Sequence, residues 1–417
     1  MRIPKNHVSR RGFIGAVSRS AAAAVLAGPA FAAAQETSTQ AAKAQRIVSV
    51  KAYPVRLIPN DERSATPKFK SDFDPARWRY RGPFAQLNSA IIVVIKTGQG
   101  VTGYGLGAGG SVAAEIIHGH LSHLLVGANA LNVELLWNQM YTSSNAYGRR
   151  GVFVMALSGV DNALWDILGK SMGQPVYRLL GGTTKEKAPV YMTNGDVEVG
   201  LKHGVRWFKL PVGEGVFEGR EGMARIVARL KAARQAIGPD AELMIDCGSR
   251  WDDVEYTLEM ARRLEEIRLY FLEEPLSPDD ILGYARLVRE VKSTRIAHGE
   301  HEYTHFGFEL LFHHNAIEVV QPDVSWCGGL TSLKQIATMA GERGLPFIPH
   351  RGGSLFGLPL VLATPHCPVA ESFGTGQNGT DVFHAMTPRF DGGYYFPPEK
   401  PGFGTELSEE LVRKHLV

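Results

Sequence analysis

The strongest constraint on this chain is a rhythm that begins at residue 189. Eight apolar runs follow one another: PVYMTN, VRWFKLPV, AELMIDC, LYFLEEP, TRIAHGE, AIEVVQPD, LPFIPH and CPVAES. Amphipathic stretches such as GREGMARIVARLKAARQAIG and WDDVEYTLEMARRLEEI separate most of them. Strands that are apolar throughout, each followed by a helix, belong to a parallel sheet buried on both faces. Eight such units predict a closed barrel. The rival, an open doubly wound sheet that binds a nucleotide, calls for a glycine-rich phosphate loop after its first strand, and none follows PVYMTN.

Three consecutive runs end in acid: Asp246 in LMIDCG, Glu273 in FLEEPL and Glu300 in IAHGEH. In a parallel barrel the C-terminal ends of all strands open on one mouth, where the active site lies. Three carboxylates gathered there repel one another unless a hard cation neutralises them, and an all-oxygen donor set suits Mg²⁺ better than zinc. The sequence therefore predicts a magnesium site made of Asp246, Glu273 and Glu300.

The rest of the chain sets the frame. Its 417 residues are 44% hydrophobic, ample for a large core. Lys+Arg 45 against Asp+Glu 42 leaves a net charge of only +3, so no basic field favours nucleic acid. Cys247, Cys327 and Cys367 are too few and too scattered for a disulfide framework and read as core residues. Residues 1–34, with Arg10 and Arg11 in SRRGFIG and a small-residue ending in AGPAFAAAQ, read as a twin-arginine signal peptide, which predicts a periplasmic protein, or a cytoplasmic one if the leader is not used. Beyond the leader no unbroken apolar run reaches membrane-spanning length, so the mature chain is not expected to cross a membrane. Residues 46–150 alternate in the manner of a small antiparallel sheet, IVSVKAYPVRLI and SAIIVVIKTGQGVTGYGLGA, before helical periodicity sets in. Between those strands, residues 59–86 form a long polar segment of the kind that serves as a lid or binding loop, with Arg63, Lys68, Lys70, Trp78, Arg79 and Arg81.

Several motifs in order, GVDNALWDILGKSMGQPVYRLLGG, the three acids, QPDVSWCGGLT, the IPH ending at His350 and PGFGTEL, resemble the enolase superfamily, in its mandelate racemase branch and there the sugar-acid dehydratases of the rhamnonate dehydratase group. The resemblance runs over residues 47–407. It implies a modified (β/α)7β TIM barrel over residues 151–384, an α+β capping domain from residues 46–150, and a C-terminal segment, 385–417, that returns to the cap. It also implies Mg²⁺ on the three acids, a homo-oligomer, a small sugar acid as substrate and His350 as the base.

His350 and Asp323 end neighbouring runs, close enough for Asp323 to orient the imidazole and raise its basicity. Racemases of the branch carry Lys-x-Lys at the end of the second barrel strand. Here Lys209 matches the first lysine and Pro211 replaces the second, and a proline cannot exchange a proton. A base on one face only favours β-elimination, to a 2-keto-3-deoxy acid, over racemisation. Lys209 is expected either to neutralise the substrate carboxylate or to pair with an acid ligand. Glu371 is expected to be a protonated donor to that carboxylate, and His301, in GEH, an acid or a hydroxyl ligand. Glu274 is expected to support the site from behind the ligands; Asp161 and Trp165 read as helix-packing residues. Two alternatives remain: a racemase, epimerase or cycloisomerase on the same scaffold, and a periplasmic binder of sugar acids without catalysis.

Overall fold

The structure is a computed structural model that describes residues 45–55, 90–193, 197–372 and 381–417. The leader and the cationic residues of the 59–86 segment lie outside the described residues.

The N-terminal part opens on an antiparallel sheet of three strands, β1 (Ile47–Val55), β2 (Ala90–Thr97) and β3 (Thr102–Gly107), with β2 in the middle. Helix Val152–Ser171 lies on this sheet, and its backbone comes very close to β3. A Cβ built on Gly105 would stand 2.0 Å from the Gly159 carbonyl oxygen, so only glycine admits the approach. The same helix is the one described helix long and apolar enough to span a membrane, but it is 83% buried inside the protein. Its polar residues are paired inside the protein, as those of a core helix are. Asp161 accepts from the Thr331 backbone (2.9 Å) and hydroxyl (2.7 Å), Trp165 donates to the Thr331 hydroxyl (2.9 Å), and Asn162 donates to Leu106 O (2.9 Å). They tie the cap sheet on one side to the helix Gly329–Glu342 on the other. The sequence reading began the barrel at residue 151; by packing, this helix belongs to the cap sheet as much as to the barrel.

The barrel strands are β4 (Ala188–Thr193), β5 (Trp207–Pro211), β6 (Glu242–Asp246), β7 (Phe271–Glu273), β8 (Arg295–His298), β9 (Val319–Val320) and β10 (Ala370–Ser372). Neighbours from β4 to β9 pair in parallel and in chain order, and β10 pairs in parallel with β4, which closes the ring. The seventh position, the LPFIPH run, is held by the parallel bridges Val320 with Phe347 and Asp323 with His350. Pro346 and Pro349 lack the N–H that a continuous ladder needs there.

After β10 the chain adds the hairpin β11 (Phe390–Asp391) and β12 (Tyr394–Tyr395), with β12 antiparallel to the start of β4. It then makes contacts with the N-terminal part. Phe403 N donates to Asp166 (3.0 Å), the Glu409 carboxylate accepts from Tyr53 (2.8 Å) and Lys96 (2.8 Å), and Val417 N donates to Pro54 O (3.1 Å). All three cysteines are free and buried.

Candidate active site at the barrel mouth

Inside the barrel, Tyr191, Met244, Phe271, Ala297, Val319, Ile348 and Val369 pack as a separate apolar cluster, with Trp207 against them. Side chains two apart on a strand share a face. One step toward the mouth from each of these residues therefore stand Thr193, Lys209, Asp246, Glu273, Gly299, Gln321, His350 and Glu371. The apolar layer is a floor, and the ring above it is polar and ionisable.

Lys209 is 2% exposed and sits on this floor with its ammonium 5.6 Å from the centre of the Tyr191 ring. It lies 2.8 Å from both oxygens of Glu273, 2.9 Å from Glu371 Oε1 and 4.0 Å from Asp246 Oδ2. Burial pulls its pKa down, but Glu273 and Glu371 outweigh that and hold it well above the usual lysine range. It stays an ammonium and cannot act as a base. Of the two expectations for Lys209, pairing with an acid ligand is the one the structure shows.

Glu371 corrects an expectation. Burial pushes its carboxyl up, but Lys209, His350 and the Thr193 hydroxyl prevail and its pKa falls to about 2. With Thr193 Oγ1 donating at 2.6 Å and Arg351 N at 2.8 Å, Glu371 is an ionised acceptor rather than a protonated donor. Sequence position alone could not say that a lysine two strands away would reach it.

The His350 imidazole holds Asp323 through Nδ1 at 2.6 Å, and its Nε2 faces Glu300 at 3.6 Å and Glu371 at 4.0 Å. Burial lowers its pKa, and Glu300, Glu371 and Asp323 raise it by more. Asp323 is fully buried, and its other oxygen accepts from Ser325 N (2.6 Å) and Ser325 Oγ (2.5 Å). His301 gives Nδ1 to both oxygens of Glu274 at 2.9 Å and lies 3.7 Å from Glu300. Burial opposes its charge, but Glu274 wins and lifts the imidazolium pKa to about 10. Asp246, Lys209, Glu273, Glu371, His350, Asp323, Glu300 and His301 thus form one continuous network at one mouth.

Residues 197–411 match the family model described as enolase C-terminal domain-like, and residues 82–181 match the N-terminal domain of the mandelate racemase / muconate lactonizing enzyme family. The chain belongs to the enolase superfamily. A superfamily member from Saccharopolyspora erythraea, L-rhamnonate dehydratase, is 37% identical over 328 residues, covering 77% of this chain and 84% of that protein. Among solved structures, rhamnonate dehydratase from Gibberella zeae complexed with Mg aligns at 29% identity with a TM-score of 0.75, covering 89% of this chain and 96% of that one. A racemase from Streptomyces coelicolor A3(2) with bound magnesium aligns at 26% identity and the same TM-score, 0.75, covering 89% of this chain and 100% of that one. Backbone similarity does not separate the two chemistries within the superfamily; the side chains at the mouth must.

The acid trio fits a divalent cation. Asp246 and Glu273 end adjacent strands in register, and Glu300 follows β8 by two residues. The Glu273 pKa is raised well above normal, by burial first and by Asp246, Glu300 and Glu371, despite Lys209; Asp246 is raised by burial and by Glu300. One ammonium does not balance this many acids, and a divalent ion would. Among the described residues Glu273 Oε1 accepts from Lys209 alone while Oε2 accepts from Lys209 and Gln321, which leaves Oε1 a lone pair for a metal.

A tighter group, Glu274, Glu300 and His301, has ligand atoms within 4.8 Å of one another. Its histidine already gives Nδ1 to Glu274, whereas the trio offers oxygen donors only, the set that suits Mg²⁺.

Sequence reasoning missed four residues at the mouth. Thr193 and Gln321 bind Glu371 and Glu273, Arg351 anchors Glu371 through its backbone, and Trp326 lies between the two imidazoles. Thr193 and Gln321 were findable as the residues two beyond a barrel-core position; Trp326 and Arg351 lie in loops and carried no such signal.

Proposed function

We propose that this chain is a Mg²⁺-dependent hydro-lyase that dehydrates a sugar acid of the L-rhamnonate kind to its 2-keto-3-deoxy product. The observation that carries the reading is the single base. His350, oriented by Asp323, faces the mouth, while the lysine of the opposite set is locked as an ammonium between Glu273 and Glu371 and Pro211 fills the position of a second one. The likeness to L-rhamnonate dehydratases supports the same reading.

Asp246, Glu273 and Glu300 would hold Mg²⁺, which would supply positive charge for the substrate carboxylate, where negative charge builds as the α-proton leaves. His350 Nε2 takes that proton, and Asp323 stabilises the imidazolium that results. The β C–O bond then breaks, and the His301 imidazolium donates the proton with which the hydroxyl leaves as water. The enol that remains tautomerises to the 2-keto acid, so atoms and charge balance. Lys209 keeps Glu371 ionised and holds Glu273 and Glu371 in place. A 1,1-proton transfer would need a second base on the far face, and Lys209 cannot serve.

A library of sugar acids incubated with Mg²⁺ and assayed for 2-keto-3-deoxy product tests this. Wild type should form product, a chelator should stop it, and His350→Asn should lose it; product from that variant removes His350 as the base. In D₂O, α-deuterium incorporation without water loss would point to a racemase, and neither outcome to a binder.

We further propose that residues 1–34 direct twin-arginine export and that the chain works as a homo-oligomer. The motif SRRGFIG and the resemblance support these readings. Retention of an Arg10→Lys, Arg11→Lys double variant in the periplasm, or a monomeric mass by light scattering, would overturn the respective reading.

A further inference from the structure

Trp326 lies in the loop after β9 and is 4% exposed. Its ring centre is 5.6 Å from that of His350 and 5.4 Å from that of His301, and the Arg351 guanidinium carbon is 5.8 Å from it. The indole nitrogen is buried and has no hydrogen-bond partner among the described residues. An indole N–H can only donate, and nearly all buried donors in folded proteins are paired. Here the neighbouring groups do not help. Arg351 is itself donor-only, His301 holds Glu274 through Nδ1, and His350 holds Asp323 through Nδ1 and keeps Nε2 for the substrate proton. An unpaired donor beside the base at the mouth of a site fits a donor reserved for a ligand.

We propose that Trp326 Nε1 donates a hydrogen bond to a distal hydroxyl of the bound sugar acid, at C4 or C5, and so helps to set which acids are accepted. This rests on the sugar-acid reading above. The carboxylate end of the substrate belongs with the acid trio and its cation, and His350 works at the α-carbon. The indole lies beside the two imidazoles, and a sugar acid whose α-carbon faces His350 would carry its distal hydroxyls past them. A hydroxyl is the ligand group that accepts from an indole without adding charge to a mouth already rich in carboxylates. A site that holds out a buried donor also discriminates against analogues lacking the acceptor, because binding them leaves the donor unpaired.

The test compares wild type and Trp326→Phe, which keeps an aromatic ring and removes the donor, with Mg²⁺ present. Substrates are the best sugar acid from the library and its 4-deoxy and 5-deoxy analogues. In wild type one of the two analogues should lose roughly 10- to 100-fold in kcat/KM. In the variant the parent acid should fall by a similar factor, chiefly through KM, while that analogue falls no further. The pH profile should not move, because His350 keeps Asp323. Equal treatment of parent and both analogues by wild type overturns the proposal and needs no variant. So does a variant that discriminates as wild type does, or one that loses all substrates alike with a displaced pH profile, which would make Trp326 a support for the imidazoles only. If wild type turns over no sugar acid, the dehydratase reading fails, and the same comparison made by calorimetric binding still decides the subsite.

Discussion

Replacing Asp323 with asparagine should nearly abolish turnover while leaving the fold intact, and the reason lies in how Asp323 is held. One carboxylate oxygen, Oδ1, accepts two hydrogen bonds from Ser325, at 2.6 Å from the backbone N–H and 2.5 Å from the hydroxyl. In the variant these donors claim the amide oxygen, which turns the amide NH₂ toward His350 Nδ1, where Oδ2 stood at 2.6 Å. Nδ1 must then accept, and the ring proton moves to Nε2, the nitrogen that has to take the substrate proton. Loss of the charge-assisted bond alone is worth about 1.5–3 kcal/mol, or about 10- to 150-fold in rate. Inverting the tautomer takes the loss toward about 10⁴-fold, as in protease triads treated the same way. The assay is kcat and kcat/KM for 2-keto-3-deoxy product over a range of pH. His350 must be neutral to act, so activity falls as pH drops through its raised pKa. Without the Asp323 charge that pKa falls, and the acid limb of the residual activity moves to lower pH. A variant within tenfold of wild type, with an unmoved acid limb, would refute the assignment of the pair.

Two further outcomes follow from buried charge. Lys209→Met leaves Glu273 and Glu371 without their ammonium and should cost about 3–5 kcal/mol of stability by denaturant unfolding at pH 7. The Glu371 pKa is depressed to about 2, so its contribution is present above the ordinary carboxylate range and lost as pH falls through about 2; the gap between wild type and variant should narrow below pH 4.5, and a constant gap would count against the pairing. Asp161 has the opposite sign: fully buried, its pKa is raised to about 7, so the stability it allows is greatest at acid pH and is lost as pH rises toward 7. At about 1.4 kcal/mol per unit this amounts to a few kcal/mol, and Asp161→Asn should flatten the dependence of unfolding free energy between about pH 4 and 7; an unchanged slope would exclude it.

The alternation of apolar runs with helices was enough to specify a parallel sheet buried on both faces, and eight units with no glycine-rich loop after the first favoured a barrel over an open sheet. The strand-end acids followed from that architecture, and so did the His350 and Asp323 pair, since neighbouring strands carry their ends to the same rim. Pro211 told in the sequence itself that one face lacks a base, because the chemistry of proline does not depend on its surroundings. What the linear chain could not contain was competition for charge. Whether Lys209 would meet a substrate or an acid, and whether Glu371 would hold or lose its proton, depended on which groups lie within 3 Å of them across the barrel, and the structure settles both as ionised partners. Trp326 became visible for the same reason: an unpaired donor is a property of an environment, and only the tertiary packing of two imidazoles and a guanidinium around the indole created it.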